Sequence, residues 1–77
     1  MARKGYRGRR ERGSRRWKAT FGDRVEYLSN GERRLVEYRA ALYQAKVDLG
    51  LMTQDEALTQ LHQDLVEYRR WQRWFRR

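Results

Sequence analysis

The run Arg69-Arg70-Trp71-Gln72-Arg73-Trp74-Phe75-Arg76-Arg77 carries five arginines and no acid. On a helix, Arg69, Arg70, Arg73, Arg76 and Arg77 fall within an arc of about 120°, with Trp74 beside them. Guanidinium forks match phosphate oxygens, and an exposed indole can stack on a base. Like charges at i, i+3 and i+4 repel by a few tenths of a kcal/mol per pair, and the helix C-terminal dipole offsets only part of this. The pattern therefore reads as a phosphate-binding stripe. The opening block has the same chemistry: Arg3, Lys4, Arg7, Arg9, Arg10, Arg12, Arg15, Arg16 and Lys18 stand against Glu11 alone. Such density points to nucleic-acid binding by counterion release, with Tyr6 and Trp17 available to stack. The cations of both blocks, together with Trp74, are the expected nucleic-acid contacts.

No catalytic constellation accompanies them. Ser14 and Ser29 have no base in reach, and Asp64 and Glu67 share a helix side that faces solvent. His62 is the one histidine and cysteine is absent, so no metal site can be composed. The expectation is a protein that is not an enzyme and takes no cofactor, metal or small-molecule substrate.

The elements that hold these groups follow from how the charge is divided. The 77 residues contain 19 Lys+Arg and 10 Asp+Glu, a formal charge of +9. Residues 1–18 contribute +8, residues 19–68 contribute −4, and residues 69–77 contribute +5. A chain of this size draws only about 3–5 kcal/mol from a single core, and without cysteine no disulfide adds to it. Helix packing, oligomerisation or docking on a partner must supply the rest. No apolar run approaches the roughly 20 residues of a membrane span, and no apolar signal core opens the chain. An intracellular or virion-associated protein without a classical secretion signal is expected.

Residues 1–18 have little to bury and carry Gly5, Gly8 and Gly13, which predicts a basic arm, disordered when free. Residues 19–77 are expected to form a small helical domain. Ser29-x-x-Glu32 and Thr53-x-x-Glu56 are capping boxes, and Gly50 is a left-handed stop. They bound predicted helices at about 31–49 and 54–75, and so short a connection makes the pair antiparallel. In the first helix Leu35, Tyr38, Leu42, Ala45 and Leu49 form one apolar stripe; in the second, Leu58, Leu61, Leu65, Tyr68, Trp71 and Phe75 form another. The repeated pentapeptide LVEYR sets Leu35 opposite Tyr68 and Tyr38 opposite Leu65.

Val36, Ala40, Tyr43 and Val47 form a second stripe on the first helix. Either a short preceding helix carrying Phe21, Val25 and Leu28 covers it, or it is a protein interface. The fold class expected is thus all-α: an antiparallel two-helix hairpin, with or without a short helix before it, and a basic extended N-terminal arm. Gly50-Leu51-Met52-Thr53-Gln54-Asp55-Glu56 resembles the turn of the bacterial C-terminal helical hairpin called SHOCT. The resemblance implies a small interaction or oligomerisation element.

Together these features suggest a small basic subunit of a nucleic-acid-containing assembly, a virion or ribonucleoprotein. It would dock through its hairpin on a protein partner or on further copies of itself. The alternative is a structural connector or cement protein whose basic ends clamp acidic neighbours without nucleic acid. RNA and DNA are not distinguished by these residues.

Overall fold

A computed structural model of the chain describes residues 5–13 and 16–75. The order of elements is β1 (Tyr6–Arg10), β2 (Trp17–Phe21), β3 (Arg24–Leu28), α1 (Asn30–Asp48) and α2 (Gln54–Phe75). The strands form one antiparallel sheet in the order β1-β2-β3, and the two helices lie across one of its faces. The protein is therefore α+β, which overturns the expected all-α hairpin with its extended arm, and no helix precedes α1 among the described residues. The helices are one layer of a two-layer molecule.

Two local facts explain the sheet. In β2 the side chains alternate: Ala19 and Phe21 are buried and Trp17 packs beside them, while Lys18 and Thr20 lie on the other face. That is the period of two of a half-buried strand. Gly22, at φ 68°, opens a two-residue connection between Phe21 and Arg24, where an L side chain would be strained. Phe21, Val25 and Leu28, whose spacing suggested a helix, are split across this turn. Phe21 and Leu28 point inward, and Val25 is left 48% exposed. The expected arm likewise pairs with β2 from Tyr6↔Phe21 to Arg10↔Trp17, and the expected boundary at residue 18 falls inside a strand.

Helix limits follow the caps. The Glu32 amide donates to Ser29 Oγ at 3.3 Å and the Ser29 amide to Glu32 Oε1 at 2.9 Å. Thr53 and Glu56 repeat the exchange at 3.1 and 2.8 Å. Gly50 adopts φ 76°. Its amide bonds the Val47 carbonyl and the Leu51 amide bonds the Lys46 carbonyl, the paired bonds of a Schellman stop.

The core comprises Ala19, Phe21, Leu28, Val36, Tyr43, Ala57, Leu61 and Leu65. The Val36, Ala40, Tyr43, Val47 stripe is therefore used internally: Val36 and Tyr43 are buried, and Ala40 and Val47 pack against them. What covers it is a sheet with the second helix, not a short helix. The other stripe of α1 points to solvent, with Tyr38 69%, Leu42 41% and Leu49 74% exposed. The expected match of Tyr38 with Leu65 is not made, since Leu65 is fully buried. A hairpin alone would turn its longest apolar stripe inward; a sheet claiming one side of both helices rotates α1 to serve two neighbours. Trp71 and Phe75 also leave the core, at 54% and 75% exposed, because α2 continues past the start of α1 and has no helix opposite its last turn.

Candidate nucleic-acid interface

The face of the sheet turned away from the helices is built from two cross-strand rows, Arg7–Thr20–Val25 and Arg9–Lys18–Tyr27. Alternation along each strand forces this: the inward set Tyr6, Gly8, Trp17, Ala19, Phe21 and Leu28 leaves the cations on the outside. Arg7, Gly8, Arg9, Lys18, Thr20 and Gly22 line a shallow open depression there. None of Arg7, Arg9 and Lys18 has a carboxylate partner among the described residues. Glu11, the one acid of the basic block, sits at the edge of this face. Its carboxylate accepts the Tyr27 hydroxyl at 3.0 Å, and this bond raises the Tyr27 pKa. The Arg16 guanidinium lies 4.8 Å from the centre of the Tyr27 ring.

A polar seam beneath the sheet holds β1 in place. The Trp17 indole donates to the Tyr6 hydroxyl at 3.3 Å, and the Tyr6 hydroxyl donates to Glu37 Oε2 at 2.8 Å. Arg33 stacks on the Trp17 ring at 3.7 Å. Partial burial pushes the Tyr6 pKa up to about 12, with the Trp17 bond opposing the shift and the Glu37 carboxylate adding to it. The seam crosses Gly8, where an added Cβ would collide with the Tyr6 hydroxyl and the Trp17 nitrogen and lie 2.9 Å from the Glu37 carboxylate. Any larger residue would have to displace these side-chain ends for the edge strand to lie this close to α1.

The end of α2 is tied to the same end of the sheet. Arg69 donates from Nε to Glu32 Oε2 at 2.9 Å, from one terminal nitrogen to Glu26 Oε1 at 3.0 Å, and from the other to the Tyr27 carbonyl at 3.1 Å. Glu26 also pairs with His62 Nε2 at 3.1 Å, and the His62 ring stands edge-on to Phe21. Burial alone would raise Glu26, but the bonds from His62 and Arg69 outweigh it and lower the pKa. Glu32 behaves alike: desolvation raises it, and Arg69 with the Ser29 cap brings it below the ordinary value. Arg73 lines a depression with Ser29, Glu32, Arg69 and Gln72.

The chain meanders up, down and up through the sheet, then down α1 and up α2, so the β1–β2 hairpin and the end of α2, far apart in sequence, lie at the same end of the molecule. Arg9, Arg10, Arg12, Arg16 and Lys18 belong to the β1–β2 hairpin there, and Arg70, Arg73 and Trp74 to the end of α2. The opposite pole joins the β2–β3 turn to the helix connection, where Asp23, Arg24 and Asp55 share a depression and Lys46 and Asp48 end α1.

Among the expected contacts, Arg7, Arg9 and Lys18 share the sheet face. Arg10, Arg12 and Arg16 are exposed beside it, and Arg70, Arg73 and Trp74 are exposed on α2. Arg69 is engaged as a strut between layers. Arg3, Lys4, Arg15, Arg76 and Arg77 lie outside the described residues. Thr20 and Tyr27 were not anticipated; the signal for them was the alternation in residues 17–28, read there as a helical period. Among the described residues no cluster of His, Cys, Asp and Glu suits a metal ion, and no helix is long and apolar enough to cross a membrane. No protein-family model, curated protein or solved structure matches the chain, so the resemblance at the helix connection stays local to that turn.

Proposed function

We propose that this protein is a small non-enzymatic subunit of a nucleic-acid-containing assembly, a virion or ribonucleoprotein, which grips the phosphate backbone at its cationic pole. The observation that carries the reading is the convergence of Arg9, Arg16, Lys18, Arg70 and Arg73 at one end of the molecule, with Arg7 extending the track over the sheet. Like charges gathered at one end repel, and a polyanion relieves that repulsion by releasing its counterions. Trp74, 69% exposed beside the arginines of α2, supplies a stacking surface that suits single strands. In the connector reading the same cations clamp an acidic protein surface in place of phosphates.

Fluorescence anisotropy with single-stranded RNA, single-stranded DNA and duplex DNA across a salt series tests the proposal. Engagement of about five phosphates gives a log–log salt slope of roughly −3.5 on single strands and −4.5 on duplex. Absence of binding at about 50 mM salt, or a flat salt dependence, overturns it. A defined complex with one acidic protein, formed while nucleic acid is ignored, favours the connector.

A further inference from the structure

We infer that the exposed stripe of α1 is a homodimer seam, packed antiparallel against α1 of a second copy. Leu35, Tyr38, Leu42, Ala45 and Leu49 recur at alternating spacings of three and four, the a/d period of a coiled-coil seam. Yet Tyr38, Leu42 and Leu49 are 69%, 41% and 74% exposed in the single chain. The stripe facing the sheet and α2 is a different one, so the seam can be covered without disturbing the fold.

The flanking charges select the partner and its direction. In the antiparallel register that sets Leu35 against Ala45 and Tyr38 against Leu42 of the second copy, large side chains meet smaller ones in every layer. Ala41 then faces Ala41 at the closest approach. Arg34 falls opposite Asp48 of the second copy, twice by symmetry. Arg34 and Asp48 are both exposed, and Arg34 has no carboxylate partner among the described residues. On the other flank Arg39 approaches Arg39 of the second copy, but each is already paired at 3.4 Å with Asp64 of its own chain. A parallel pair would instead bring Arg34 of each copy to Arg39 of the other and lay the two cationic poles side by side. Antiparallel packing places those poles at opposite ends, where like-charge repulsion is weakest.

Sedimentation equilibrium of the nucleic-acid-free full chain, from about 5 to 500 μM at physiological salt, tests the seam. A reversible monomer–dimer equilibrium is expected, and Leu42→Asp abolishes it while far-UV circular dichroism stays unchanged, because Leu42 is outside the core. Arg34→Asp and Asp48→Arg each weaken the dimer by about 3- to 10-fold through the two rim pairs, and the double exchange restores it. A monomer throughout the range, or a dimer indifferent to Leu42→Asp, overturns the seam. A double exchange no better than the single ones overturns the antiparallel register. None of these outcomes depends on whether the cationic pole binds nucleic acid.

Discussion

Arg69 Nε donates to Glu32 Oε2 at 2.9 Å, which ties the penultimate turn of α2 to the first turn of α1. Glu32 is at the same time the return half of the α1 capping box, its Oε1 accepting the Ser29 amide at 2.9 Å. One carboxylate therefore closes a helix end and receives the cation that locks both helices to β3. Replacing Arg69 with Ala leaves Glu26 and Glu32 without that partner and is expected to cost about 1–3 kcal/mol in urea unfolding. Arg70→Ala, on the exposed side of the same helix, should change stability by less than about 0.5 kcal/mol while weakening nucleic-acid binding. Equal stability losses in the two variants would contradict the strut.

Gly8→Ala places a methyl group inside the Tyr6–Trp17–Glu37 seam. An expected loss of about 1–3 kcal/mol, read by thermal or urea unfolding, should come with a change in Trp17 emission as its indole is displaced. Unchanged stability would mean that β1 is not held against α1 as described.

Stability should fall at both pH extremes for different residues. Glu26 and Glu32 lie below the ordinary carboxylate value of 4.5 when folded. Their contribution is complete above that value and is lost as pH falls through their lowered ones. Glu26→Gln should flatten this acid limb in a series of melting temperatures. Tyr6, raised from 10.0 to about 12, works in the opposite sense: its contribution is complete below pH 10 and fades as pH rises towards 12. Tyr6→Phe should flatten part of the alkaline limb, and the tyrosine ionisation that absorbance at about 295 nm shows near pH 12 should be lost in that variant.

The sheet face and the helix end should be separable in binding. Changing Arg7, Arg9 and Lys18 together to Gln removes up to three phosphate contacts, so the salt slope should shallow by about 2–3, with folding intact because all three face solvent or the rim. Trp74→Ala should weaken single-strand binding by roughly 5- to 100-fold through lost stacking, with the salt slope unchanged. If the triple variant binds with the parent slope, the sheet face is not the phosphate track.

Much of the helical layer was legible in the sequence because helix ends are decided within a few residues. Ser29 and Glu32, Thr53 and Glu56, and the left-handed Gly50 each act on amides and carbonyls one turn away, and the expected 31–49 and 54–75 match α1 and α2 to within one residue. The sheet was not legible. The apolar part of its inner face is Trp17, Ala19, Phe21 and Leu28 with Tyr6 across the edge, and Phe21, Val25 and Leu28 satisfy a helical period as well as two strands around Gly22. The basic composition of β1 hid its pairing, because what it buries, Tyr6 and the bare backbone of Gly8, gains its place only when Trp17 and Glu37 arrive from elsewhere in the chain.

The sequence by itself determined that two cationic blocks flank an acidic body and where its two helices begin and end, since charge is additive and caps are local. Only the tertiary structure decided that the β1–β2 hairpin and the end of α2 share one pole, that Arg69 joins layers, and that Val36 and Tyr43 are inside while Tyr38 and Leu42 are outside. Those outcomes depend on which faces three packed elements must share, and no window along a single helix contains that information.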